Sequence, residues 1–398
     1  MRILYLALGF PDMDTSQNMF TELVLEFHKN GHNIDVVAPV RNQSRTGLQL
    51  EAGIRVIRVP TLKLFNVGLI QKGLANLLLP FQYKKALKKS GFDLSYDLII
   101  MSTPPITLDF LAKWFKFHFG SKIYLILRDI FPQNAVDLKM MSYKSPFYKY
   151  FRKKEKALYK LADFIGCMSQ GNIDYVLRHN PEVQNSKLHL LPNWRTPIPN
   201  LEDKEINEIK AKFNLTGKFV VFFGGNMGKP QKLENIVYLA EACRDIEDVI
   251  FFLVGDGNER VYLEQLVKDA ELQNIILQGQ VSPKDYHRLL QSADIGIISL
   301  SQDFTIPNIP SKTISYFNAK KPVLASIDKN TDFGKLLEES GAGLWCEAGN
   351  TPEMKKALQY LMEHKAERIE MGLKGYKYLQ ENLLTSMAYE RIMAQVSH

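Results

Sequence analysis

The sequence predicts an α/β protein of two Rossmann-like domains, and three observations lead there. Short apolar runs alternate with longer amphipathic stretches along the chain, the pattern of parallel sheets covered by helices on both faces. The alternation is interrupted at PNWRTPIPN, where three prolines fall within nine residues, and it then restarts. The length, 398 residues, is too great for one ordinary domain and suits two of about 200 residues each.

In the first half, strands are expected at Ile3–Leu8, Asn33–Ala38, Ile54–Val59, Leu98–Met101, Ile123–Leu127, Phe164–Met168 and His189–Leu191. Ser16–Lys29 reads as a helix closed by Asn30-Gly31. After the proline-rich linker comes a charged helix, Glu202–Phe213. Strands then follow at Phe219–Phe223, Val249–Val254, Ile275–Leu277, Ile295–Ser299, Val323–Ala325 and Gly343–Cys346. The expected domains are 1–195, 196–380 and a C-terminal segment, 381–398, whose helix packs back on the first domain.

Composition excludes several classes. At 45% hydrophobic and 23% charged the chain is an ordinary globular sequence. No apolar run approaches the roughly 18 residues of a membrane-spanning helix. MRILYLALGF is apolar but is followed by Asp12 and Asp14, so it reads as a buried first strand and not as a secretory signal. Cys167, Cys243 and Cys346 lie far apart in apolar stretches and read as core residues of a reducing cytoplasm. Met1–Pro199 carries 27 Lys+Arg against 15 Asp+Glu, and the remainder carries 23 against 28. A basic half joined to a mildly acidic half points to an anionic partner for the first half.

The second half holds four segments suited to a phosphorylated ligand. KFVVFFGGNMGKPQKLENI is a buried strand, a loop with Gly224, Gly225 and Gly228, and a helix start, so backbone N–H groups and the helix dipole can face a phosphate. Asn226, Lys229 and Gln231 lie in this loop. FFLVGDGNER repeats the device with Gly255 and Gly257, and Gly279-Gln280-Val281 is a third turn after a strand. In doubly wound sheets ligands sit at such carboxyl ends. Pro310-Ser311-Lys312 opens a further helix, with Ser311 as its N-cap and Lys312 placed to meet a diphosphate. The dinucleotide fingerprint G-x-G-x-x-G is absent, which weighs against a nicotinamide enzyme.

The order of these segments, with ADIGIISL before PSK and KPVLAS after it, resembles the retaining glycosyltransferase family 4 of GT-B architecture. With LRDIFPQNAVDLKMM, EKALYKLADFIGCMS and LPNW from the first half, the chain is similar to the WbuB-type subgroup, proposed fucosamine transferases of bacterial surface-polysaccharide synthesis. The resemblance implies a donor-binding second domain, an acceptor-binding first domain and a cleft between them. It implies transfer of an N-acetylated hexosamine or deoxyhexosamine from a UDP-sugar to a lipid-linked or other glycan acceptor, in O-antigen, capsule or exopolysaccharide synthesis. No other cofactor and no metal are implied. Three departures stand out. The wider family carries two glutamates at positions that match Pro307 and Ser315, and an Arg and a Lys at those matching Asn226 and Gln231. The glycine pair usual after the first strand is replaced by Thr15-Ser16-Gln17. The missing glutamates keep open a non-catalytic sugar-nucleotide-binding subunit; a nucleotide-sugar epimerase of the same fold is a second alternative, which the order of the VGDG and PSK motifs disfavours.

In the first half, Asp129 closes a strand and is the candidate for contacting the acceptor hydroxyl or the transferred sugar; a structural role beside Arg128 is the other reading. Asp12-Met13-Asp14 reads as loop and not as a metal motif. Two basic stretches with interleaved apolar residues suit an anionic bilayer surface: Lys84, Lys85, Lys88 and Lys89, and Arg152, Lys153 and Lys154. Solvated helix faces are the alternative. A polyprenyl-diphosphate-linked acceptor on the inner face of the cell membrane fits the first reading. No nucleic-acid motif accompanies the charge.

Overall fold

The computed structural model describes residues 1–40, 46–63 and 67–397. The chain divides into two compact units, Met1–Thr196 with Thr385–His398, and Pro197–Leu384.

Unit 1 is built on one sheet. Its strands are β1 (Arg2–Leu6), β2 (Asn33–Pro39), β3 (Gly47–Glu51), β4 (Ile54–Val59), β5 (Leu98–Thr103), β6 (Lys122–Leu127), β7 (Phe164–Cys167) and β8 (Leu188–Leu190). They lie in the order β3-β4-β2-β1-β5-β6-β7-β8, all parallel except β3 against β4. Strand β3 is absent from the sequence expectations. GLQLE sits at the sheet edge with Leu48 and Leu50 exposed, so it lacks the buried apolar run that marks the others. Alternate residues of β1 feed two cores: Leu4 and Leu6 on one face, Ile3 and Tyr5 on the other.

The first helix runs Met19–Lys29, three residues shorter than expected at its start. Asn18 is the reason: its side chain accepts from Phe20 N and Thr21 N, and Thr21 closes the reciprocal capping bond. The C-terminal helix, Thr385–Val396, packs against it. Ala388, Ile392 and Val396 enter the unit 1 core, and Tyr389 meets His32 at 2.9 Å. The linker motif begins inside unit 1: Trp194 is 1% exposed, and Arg195 pairs with buried Glu22.

Unit 2 repeats the scheme with β9 (Phe219–Asn226), β10 (Val249–Asp256), β11 (Ile275–Gln278), β12 (Ile295–Ser299), β13 (Val323–Ile327) and β14 (Gly343–Glu347). The order is β11-β10-β9-β12-β13-β14, parallel throughout. Connections run outward one way from β9 and the other way from β12. In unit 1 the reversal falls between β1 and β5. A ligand belongs at the carboxyl ends of the strands beside such a reversal.

Cys167, Cys243 and Cys346 are buried and free. Among the described residues no helix is long and apolar enough to cross a membrane.

Candidate functional site

The unit 2 loops interlock. The β9–β10 pairing continues through Gly225 opposite Gly255 and Asn226 opposite Asp256. Met227 N then donates to Asp256 O (2.9 Å), and Glu259 N to Met227 O (3.0 Å). The glycines make this possible. A Cβ on Gly255, whose φ is +149°, would lie 1.9 Å from Gly225 O, and one on Gly257 would lie 2.3 Å from Met227 O. One on Gly224 would strike the Tyr286 ring, and one on Gly225 would sit 2.7 Å from Lys312 Cε. The expectation that these glycines clear room for a ligand is thereby revised. Gly224, Gly225, Gly255 and Gly257 admit neighbouring protein, and Gly228 admits the Asn226 side chain of its own loop.

Gln231 is also reassigned. With its amide nitrogen turned inward it bonds Asn226 O (3.2 Å) and Gly228 O (3.1 Å), bracing the loop from below. Asn226 and Lys229 are exposed at the loop, as is Gln280 after β11, with Val281 half-buried beside it. Arg260, which the sequence analysis passed over, lies against Gly279 and pairs with Glu264 (2.8 Å).

Lys312 is the central cation of this group. It begins the helix Lys312–Asn318, which Tyr316 pins to the sheet by donating to Phe222 O and Ile297 O, both at 3.1 Å. Gly296 makes the space for that ring. One turn earlier, Lys312 therefore comes to the end of β9, its Nζ 4.8 Å from the Phe223 ring centroid. It is half-buried, and loss of hydration lowers its pKa to about 8. Among the described residues no carboxylate pairs with it. A solvated surface lysine is excluded.

Ser311 is not the expected cap. Its backbone is αR (φ −63°, ψ −19°), so the hydroxyl makes no bond to the helix N–H groups that an extended N-cap residue would reach. The helix is also only seven residues long, so its dipole adds little. Pro310 is buried, Ser311 is exposed, and Ser315 is half-buried on the turn after Lys312.

In unit 1, Asp129 follows β6. Its Oδ2 accepts from Asn134 Nδ2 (2.6 Å) and its carbonyl from Thr103 Oγ1 (3.1 Å). The side chain of Arg128 turns elsewhere, to Met19 and Trp194. Asp12 and Asp14 shape their loop, accepting from Asp14 N (3.0 Å) and Ala52 N (2.9 Å) respectively. Thr15 to Gln17 lie in the same loop, ahead of the Asn18 cap.

The two basic stretches differ. Lys85, Lys88 and Lys89 are exposed, and Lys84 is half-buried with Nζ 4.5 Å from the Trp114 ring centroid. Burial and the neighbouring Lys88 charge hold the Lys84 pKa below its ordinary value. Leu74, Leu77, Leu78 and Phe81 are exposed on the same helix, Leu69–Lys89. In the second stretch Lys153 is exposed, but Arg152 pairs with buried Glu155, and Lys154 pairs with Asp109 at 3.1 Å. Arg152 and Lys154 are thus neutralised locally and are not free for an anionic surface.

Comparison with known proteins agrees with this layout. The model for Glycosyltransferase Family 4 matches residues 16–195, and that for Glycosyl transferases group 1 matches residues 217–364. The probable glycosyltransferase WbjE of Pseudomonas aeruginosa is 24% identical over 335 residues, covering 82% of this chain and 80% of that one. The putative colanic acid biosynthesis glycosyl transferase WcaI of Escherichia coli K12 is 25% identical over 44% of this chain and 43% of its own. The structure of Anabaena Alr3699/HepE in complex with UDP-glucose shares the fold, with a TM-score of 0.72, 16% identity, and coverage of 100% of this chain and 99% of that one. The two models match successive halves of the chain, one in each unit, and the chain is a glycosyltransferase of the GT-B fold.

Proposed function

We propose that the protein transfers a sugar, an N-acetylated hexosamine or deoxyhexosamine, from a UDP-sugar to a lipid-linked glycan during bacterial surface-polysaccharide synthesis. Transfer proceeds with retention and without a metal. The observation that carries the donor assignment is Lys312, a half-buried ammonium with no carboxylate partner among the described residues, at the end of β9 beside the strand reversal. A diphosphate supplies the missing counter-charge. As the sugar–phosphate bond breaks, negative charge grows on the leaving UDP, and a preorganised cation beside it favours the transition state over the ground state. The loop N–H groups and Lys229 add to this. The bound HepE relative supports a UDP-sugar, and the names of WbjE and WcaI support polysaccharide synthesis.

Asp129, at the end of β6 and held by Asn134, meets the acceptor hydroxyl or the transferred sugar. The exposed lysines and leucines of the helix Leu69–Lys89 rest on an anionic membrane from the cytoplasmic side. Calorimetric titration with UDP, and UDP release from a panel of UDP-sugars given a lipid-linked acceptor with and without EDTA, test the reading. The expected result is UDP binding and EDTA-insensitive release. No release from any donor overturns it.

A further inference from the structure

Arg128 follows directly on β6, next to the strand reversal of unit 1. Its backbone N–H donates to Thr103 Oγ1 at the end of β5 (3.2 Å). Its side chain runs back toward the start of the helix Met19–Lys29. There Nη2 meets Met19 Sδ at 3.7 Å, and the guanidinium lies 5.6 Å from the Trp194 ring centroid. Trp194 is fixed in turn, its Nε1 donating to Met19 O at 2.5 Å. The fold has therefore joined two distant motifs, LRDIFP and LPNW, around one cation.

That cation has no counter-charge among the described residues. Nη1 is covered by protein and has no hydrogen-bond partner. Among the described residues no carboxylate pairs with Arg128. Asp129 is held by Asn134, and Glu22, on the adjacent helix, is held by Arg195. Tyr5 acts electrostatically on Arg128, and burial pushes its phenol up so that it stays neutral. Tyr5 Oη is likewise buried without a partner. A thioether is a weak acceptor and a ring face a weak counter-charge. A water molecule fills a hydrogen bond but carries no charge. An uncompensated guanidinium at this depth is costly, and an arginine does not relieve the cost by giving up its proton.

We propose that Arg128 is the anion-recognition residue of unit 1 and that its ligand is a phosphate or diphosphate group. The planar guanidinium suits bidentate contact with phosphate oxygens, and Trp194 and Met19 hold it beside the ends of β1 and β5. The inference rests on the glycosyl-transfer reading above, which brings a diphosphate on the donor and another on a lipid-linked acceptor.

Inorganic pyrophosphate is the first probe, titrated calorimetrically into full-length protein. In Lys312→Met, which silences the unit 2 cation, pyrophosphate still binds; in Lys312→Met with Arg128→Met its affinity falls at least tenfold. Equal binding by the two overturns the proposal. Thermal melting of the unliganded Arg128→Met protein supplies the second readout. A ligand-directed arginine predicts a Tm at or above that of the wild type, whereas a fall of several degrees marks a structural arginine and overturns the proposal. The source is read from Arg128→Met kinetics. A tenfold rise in KM for a prenyl-diphosphate-linked acceptor with unchanged UDP affinity assigns the site to the acceptor; a tenfold loss of UDP affinity assigns it to the donor. No change in either overturns it. Wild-type UDP binding and UDP release survive such a failure, so the glycosyl-transfer reading is tested separately.

Discussion

The two units reach the same electrostatic arrangement by different routes. Each sheet reverses its strand order, and each places beside the reversal a cation without a carboxylate partner among the described residues: Arg128 in unit 1 and Lys312 in unit 2. Arg128 stands at a strand end, so the sheet positions it directly. Lys312 stands on a helix and depends on Tyr316, one turn away, to bring it to the end of β9. The chemistry differs as well. Burial lowers the Lys312 pKa to about 8 and that of Arg128 to about 9, from a much higher start. The guanidinium offers a planar fork that meets two oxygens at once, and the ammonium a single compact charge.

The sharpest way to break unit 2 without touching a charge is Gly255→Ala. Its Cβ would stand 1.9 Å from Gly225 O at a φ of +149°, so both the interlocked loops and the backbone must give way. We expect a loss of about 2–4 kcal/mol in chemical denaturation. Gly279→Ala, which meets only the tip of the flexible Arg260 side chain at 3.0 Å, should cost far less. Equal losses would mean that the loops are not interlocked as described.

Asp129→Asn probes the unit 1 side of the comparison. It should lower kcat about 100-fold while UDP affinity changes less than about twofold. A matched loss of both would reduce Asp129 to a folding role with Asn134.

Lys312→Met should weaken UDP binding about tenfold or more, measured by calorimetry. The pH dependence follows from the depressed pKa. Below about 8 the lysine is charged, and above it the charge is lost, so wild-type affinity should fall toward that of Lys312→Met as pH rises through about 8. Without ligand the sign reverses. The unfolded chain keeps the proton up to about 10.4, so between about 8 and that value it binds more protons than the folded one, and the Lys312 contribution to stability rises with pH. A flat affinity profile would remove Lys312 from the diphosphate.

The smallest effect is expected at the surface. Lys85, Lys88 and Lys89 replaced together by Gln should lower binding to anionic liposomes several-fold, with the difference shrinking at high salt. Replacing Arg152 and Lys154 should instead lower Tm, because Glu155 and Asp109 are left buried without their partners. Liposome binding unchanged by the triple substitution would leave those lysines as ordinary solvated charges.

The strands of both sheets were legible wherever they carry continuous apolar runs, because a strand buried on both faces has no other composition open to it. The exposed edge strand β3 was not, for the same reason. The boundary of the first helix was missed by three residues because Asn18 satisfies its first N–H groups, and a cap is a local geometry that several polar residues before the helix could have supplied. The places of Lys312 at the start of a helix and of Asp129 just after a strand were readable from the sequence. The work of the glycines was not, since a missing side chain looks the same in sequence whether a ligand or a neighbouring carbonyl fills the space.

Sequence by itself determined the alternation of strands and helices, the restart after Pro192–Asn200, the unequal charge of the two halves and the identity of the residues at the strand ends. These depend on local periodicity and composition. Only the tertiary structure decided which charges are compensated. Arg152 and Lys154 look like Lys85 and Lys88 in the sequence, yet Glu155, one helical turn on, neutralises the first, and Asp109, far away along the chain, neutralises the second. Arg128 and Lys312, by contrast, are packed against Trp194 and Phe223 with no carboxylate paired to either among the described residues. Coulomb energy depends on separation in space and on burial, and neither quantity is encoded in the order of residues along the chain.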